Sequence, residues 1–96
     1  MTKQIRVLFN RALQAPAWQV REGAARALSG ATAERAVPRL SRALVDEHLD
    51  VRKAAVLSLS RWADSEAAAR DALSVALKDD ADVRAYARRA LEYQPA

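Results

Sequence analysis

At 96 residues the chain has room for one small domain, near the lower limit of what buries an adequate core without covalent staples. It has no cysteine, which excludes disulfides and thiolate metal sites and suits a reducing, cytoplasmic setting, and no apolar run approaches the roughly 18 residues of a membrane span or the core of a secretory signal. Sixteen basic residues, mostly arginine, against twelve acidic ones leave a net charge of +4, which tolerates an anionic partner but falls short of the concentrated basic patch of a nucleic-acid binder.

In chain order, apolar residues recur at helical spacing with no period-two alternation, so the chain is expected to be all-α. Phe9 and Leu13, with Ala12 beside them, mark a first helix. Ile5, Val7 and Leu8 make that helix apolar on more than one side, a surface suited to self-association. A turn at Pro16 follows, and Trp18 within it is a candidate interface aromatic. A second helix then carries Val20, Ala24 and Leu28 and is expected to close at Gly30. Leu40, Ala43 and Leu44 mark the third helix. Asp46 to Asp50 form a turn whose carboxylates complement the next helix N-terminus. The fourth helix runs from Val51 through Ala55 and Leu59 to about Trp62, which falls on the core face. Leu73, Ala76 and Leu77, a turn at Asp79 to Asp82, and then Val83, Ala87 and Leu91 complete a third pair. Tyr86 falls at the core edge and Tyr93 near the end of the last helix.

The second members of these pairs are one element written three times. Val20-Arg21, Val51-Arg52 and Val83-Arg84 are 31 and 32 residues apart, and VREGAARALS, VRKAAVLSLS and VRAYARRALE align from them without gaps. We call these the B helices and their predecessors the A helices, with repeats at approximately 2–31, 32–64 and 65–94. The Val-Arg-x-x-Ala-x-x-x-Leu B helix, the Ala36-Val37-Pro38-x-Leu40 opening of the second A helix, and the Leu-x-Asp turns at Leu44 to Asp46 and Leu77 to Asp79 resemble the compact bacterial HEAT-like repeats first associated with phycobilin lyases. The resemblance implies a right-handed α-solenoid, an α-α superhelix of about three helix pairs. It also implies a structural ladder in which Arg21, Arg52 and Arg84 pair with turn aspartates, here Asp46 and Asp79. The first repeat departs from the pattern, with Ala15 and Gln19 where the others carry aspartate.

Function then depends on what stays exposed once the repeats stack. Counted from each anchor valine, B-helix positions +2, +5, +6 and +9 point away from the expected core, and the resemblance puts B helices on the concave side. The candidate partner-binding set is therefore Arg26, Lys53, Val56, Leu57, Ser60, Arg88 and Arg89, with Trp18 added. Its apolar centre at Val56 and Leu57, flanked by arginine, has the composition of a protein-binding patch. Arg35, Arg39 and Arg42 lie close to one face of the second A helix and form an alternative anion-binding stripe for nucleic acid or another polyanion. The family resemblance adds a third reading, a non-catalytic accessory to bilin lyases.

Catalysis finds little support. The one histidine, His48, sits in a turn among Asp46, Glu47 and Asp50, without the spacing of converging metal ligands, and capping is the role expected of it. The Asp79-Asp80-x-Asp82 run lacks the glycine and terminal glutamate of a calcium loop, and no serine stands in a nucleophile elbow. No enzyme activity, cofactor or metal is expected. The reading is a binding module for another protein, with nucleic acid less favoured and no membrane partner.

Overall fold

The B-helix register follows directly from the anchors, since each B helix opens two residues before its valine. The computed structural model describes residues 3–92, apart from the side chains of residues 3–6 and 9. Its helices are α1 (Lys3–Leu13), α2 (Trp18–Ala27), α3 (Ala33–Ala43), α4 (Leu49–Leu59), α5 (Ala67–Ala76) and α6 (Ala81–Glu92), and there is no strand among the described residues. Short 3₁₀ turns, Leu28–Gly30 and Ser60–Trp62, extend α2 and α4. The helices form three antiparallel pairs stacked into a short α-solenoid of 37 × 26 × 17 Å.

The core runs between the two rows of helices. Leu28, Leu40, Leu59, Leu73, Val51, Val56 and Val83 are its largest fully buried side chains. Small residues let the B helices approach one another. Ala25 is fully buried against its neighbours, and the Ser58 hydroxyl, itself buried, donates to the Ala25 carbonyl at 2.6 Å across the α2–α4 contact. The central helix α4 touches α2, α3, α5 and α6, and six of its eleven residues are buried, so it has no simple polar face.

Three expectations are corrected by the packing. Val56 is not part of an open surface: it is completely buried. The equivalent +5 residue of α2 is Ala25, also buried, its carbonyl accepting from Ser58 of α4, so this position lies within the stack rather than in solvent. Val20 was expected in the core with Val51 and Val83, yet it is half-exposed. Val51 lies beside Leu13 and Gln14 of the preceding pair, a neighbour that α2 lacks among the described residues. Gly30 does not close α2 in a left-handed conformation. No described residue has positive φ, and Gly30 lies inside the 3₁₀ turn.

Of the expected self-association surface, Val7 and Leu8 are exposed, whereas the side chains of Ile5 and Phe9 lie outside the described residues, as does Tyr93. No described helix is long and apolar enough to cross a membrane.

Candidate functional site

The arginine ladder is the most ordered polar feature. Arg21 Nε and Nη2 donate to the two Asp46 carboxylate oxygens at 2.8 and 3.1 Å, while Nη1 donates to the carbonyls of Ala15 and Pro16 in its own turn. Arg52 repeats the arrangement one step along. It donates to Asp79 at 3.0 Å, to Asp80 at 3.1 Å and to the Asp46 carbonyl at 2.8 Å. Each arginine therefore fastens its own turn to the turn of the next pair. The planar guanidinium suits this, because it offers several donors in one rigid fork.

The pairing moves both partners' protonation equilibria. The hydrogen bond to Asp46 holds Arg21 above the ordinary guanidinium value. Burial pushes the Asp46 carboxyl up, but the hydrogen bonds from Arg21 and from the His48 N–H, with the nearby positive charge, outweigh it and leave Asp46 below the usual carboxylate range.

Arg84 departs from the ladder. It makes no ion pair and no side-chain hydrogen bond among the described residues, because no aspartate-bearing turn lies beyond it there. The ladder reading therefore applies to Arg21 and Arg52 and is corrected at Arg84.

Several other predicted site residues are engaged within the fold. Trp18 stacks on His48, with ring centroids 3.9 Å apart and planes 12° from parallel, so it bridges the first two pairs. His48 is the N-cap of α4 and accepts the Asp50 N–H through Nδ1 at 3.1 Å. Lys53 reaches Asp82 at 4.0 Å and lies over the Tyr86 ring. Arg26 pairs with Glu22 one turn back. Arg39 is not a free member of an anion stripe: it donates to Asn10 at 2.9 Å and to the Arg35 carbonyl at 2.7 Å, tying α3 to α1. Arg35 and Arg42 flank it without an ion pair among the described residues.

Three of the remaining candidates, Leu57, Ser60 and Arg89, converge on one groove between the C-terminal end of α4 and the adjoining face of α6. It has a volume of about 580 Å³, with Leu57, Tyr86, Ala63 and Ala90 supplying apolar surface and Ser60, Arg61, Asp64 and Arg89 supplying polar groups. Leu57 is 47% exposed, on a helix whose neighbouring positions 56 and 58 are buried. Ser60 donates its hydroxyl to the Leu57 carbonyl at 2.5 Å. Arg61 is braced by hydrogen bonds to the carbonyls of Ser29 and Ala31 and lies over the Trp62 ring.

Of the predicted set, Leu57, Ser60 and Arg89 line this groove. Arg26, Lys53 and Trp18 do not, and Arg88 is exposed on a neighbouring patch with Ala85 and Glu92. Arg61, Asp64 and Ala63 lie beyond the aligned B-helix segment, in the 3₁₀ turn and just after it, where the repeat pattern carries no signal for them. Tyr86 was assigned to the core edge, and Ala90 could only be placed by knowing which face of α6 turns toward α4. Among the described residues, no group of three or more His, Cys, Asp or Glu side chains converges as a metal site.

The geometry thus combines stacked helix pairs, inter-repeat arginine–aspartate contacts and an open groove, an architecture of repeat scaffolds. The model of the family described as HEAT repeats matches residues 5–92, and the chain belongs to that family. HEAT repeats generally mediate protein–protein interaction and are typically non-catalytic scaffolds. No curated protein matches the chain.

Proposed function

We propose that the chain is a protein-interaction module that receives its partner in the groove between α4 and α6. The observation that carries this reading is Leu57: a large apolar side chain held half in water, on a helix that is otherwise tightly packed, at the mouth of a preformed groove. Because Leu57 is already about half buried, a partner that covers the rest gains about half of the roughly 1.5–3 kcal/mol that full burial of such a side chain is worth. Arg61 and Arg89 stand at the polar edge, the residue type enriched around desolvated anchors.

The B helices pack on one another more extensively than the A helices do, which supports placing them on the inner, concave side of the stack. A rigid surface of this kind loses little entropy on binding.

The test is site-specific photocrosslinking in cells of the source organism, with the photoreactive residue at Leu57 or Arg89 and, as outer-face controls, at Val45 or Val75. The same polypeptide crosslinked from both groove positions and from neither control supports the reading. Crosslinks confined to Val45 and Val75 would move the binding surface to the A-helix side.

A further inference from the structure

Among the described residues α6 is the last step of the ladder and of the B-helix stack, and its outward face is charged. At each internal step the +1 arginine receives a carboxylate from the next turn, and the +5 residue is buried within the stack. Arg21 with Ala25, and Arg52 with Val56, follow this rule. In α6 the same two positions hold Arg84 and Arg88, one helical turn apart, both exposed and without an ion pair among the described residues. Arg88 shares a patch with Arg89, Ala85 and Glu92, and Asp80, which precedes Arg84 by one turn, is engaged by Arg52. We infer that this end face is a second docking surface, and that its occupant is an acidic polypeptide segment whose carboxylates seat on Arg84 and Arg88.

Two alternatives are disfavoured by residues of this chain. A further plain repeat would bury position +5, where Ala25 and Val56 have no exposure, and Arg88 would then be a buried charge without a partner, a strongly destabilising arrangement. A second copy stacked head to tail would bring its first turn, Gln14-Ala15-Pro16-Ala17, which has no carboxylate to continue the ladder. An acidic segment satisfies both positions, because it places carboxylates where the internal steps place Asp46 and Asp79 and neutralises Arg88 as well. The guanidinium–carboxylate geometry of 2.8–3.2 Å at the internal steps shows the contact to be made.

The probe is a capped octaglutamate peptide, with capped octaglutamine as the uncharged control, titrated into the full chain while the arginine side-chain Nε–H resonances are followed by NMR. The expected result is that Arg84 and Arg88 shift first, that octaglutamine shifts neither, and that Arg84→Gln/Arg88→Gln weakens octaglutamate binding by about tenfold or more, about 1.4 kcal/mol. Both side chains are exposed, so the double variant is expected to keep the parent melting temperature. Arg42→Gln and Leu57→Gln are expected to change the affinity by less than about twofold, the size of a lost screened surface contact. Equal losses at Arg42 and at the pair would overturn the inference in favour of diffuse charge attraction. A single-stranded oligonucleotide of equal charge that binds more tightly, and loses as much in the double variant, would overturn it in favour of a phosphate-bearing partner.

Discussion

The helices α2 and α6 carry the same Val-Arg pair in the same register, yet their outward faces have opposite fates. In α2, Arg21 is nearly buried in a bidentate contact and Ala25 is sealed beneath α4. In α6, Arg84 and Arg88 stand in water. The valines reverse the pattern: Val20 is half-exposed and Val83 fully buried. What decides exposure in this fold is therefore the neighbour in the stack rather than the position within the repeat. Position 0 is covered by the pair before, position +1 is engaged by the pair after and position +5 is buried within the stack, so each end of the solenoid uncovers a different side of the same motif.

The strongest way to break this comparison is to exchange the +5 residues. Val56→Arg places an unpaired charge in the core and is expected to cost more than about 4 kcal/mol, enough to abolish cooperative unfolding in urea. Arg88→Val makes the reverse change at the open end and is expected to stay within about 0.5 kcal/mol of the parent. Similar effects from the two substitutions would contradict the assignment of inner and outer steps.

Smaller in size is the ladder comparison. Arg52→Ala leaves Asp79 without its charged donor and is expected to cost about 1–3 kcal/mol, whereas Arg84→Ala is expected to be neutral within about 0.5 kcal/mol. Next, Ser58→Ala removes the hydroxyl bond to the Ala25 carbonyl and should lower stability by about 1 kcal/mol, measured by denaturant titration without a change in slope.

The smallest effect is confined to acid. Asp46 is held below its ordinary value in the folded chain, so its contribution is fully present above the unfolded-state value, near pH 4. That contribution is lost as pH falls through the lower, folded value. Asp46→Asn should therefore flatten this part of the acid limb of a melting-temperature profile. An acid limb identical in parent and Asp46→Asn would show that the Arg21 contact does not set it.

The parts of this structure legible in the sequence are those governed by local periodicity. The three Val-Arg anchors place the start of every B helix, and the spacing of Leu40 with Leu44 and of Leu73 with the part-buried Leu77 identifies the inner side of the A helices. What periodicity cannot supply is the side facing a neighbouring repeat. The +5 position looks outward on an isolated amphipathic helix, yet Val56 is completely buried within the stack. The third ladder arginine matched its motif, yet the aspartate that would engage it has to come from a following turn. The groove was partly legible: Leu57, Ser60 and Arg89 stand out as off-face residues of aligned segments. Arg61 and Asp64 belong to the irregular end of the repeat, where no alignment among the copies extends.

Hydrogen exchange of the arginine side-chain Nε–H groups, followed by NMR in the unmodified chain, tests the neighbour rule most directly. The account predicts slow exchange at Arg21 and Arg52, whose Nε–H groups donate to carboxylates in part-buried contacts, and fast exchange at Arg84 and Arg88. Protection of Arg84 comparable to that of Arg52 would contradict it.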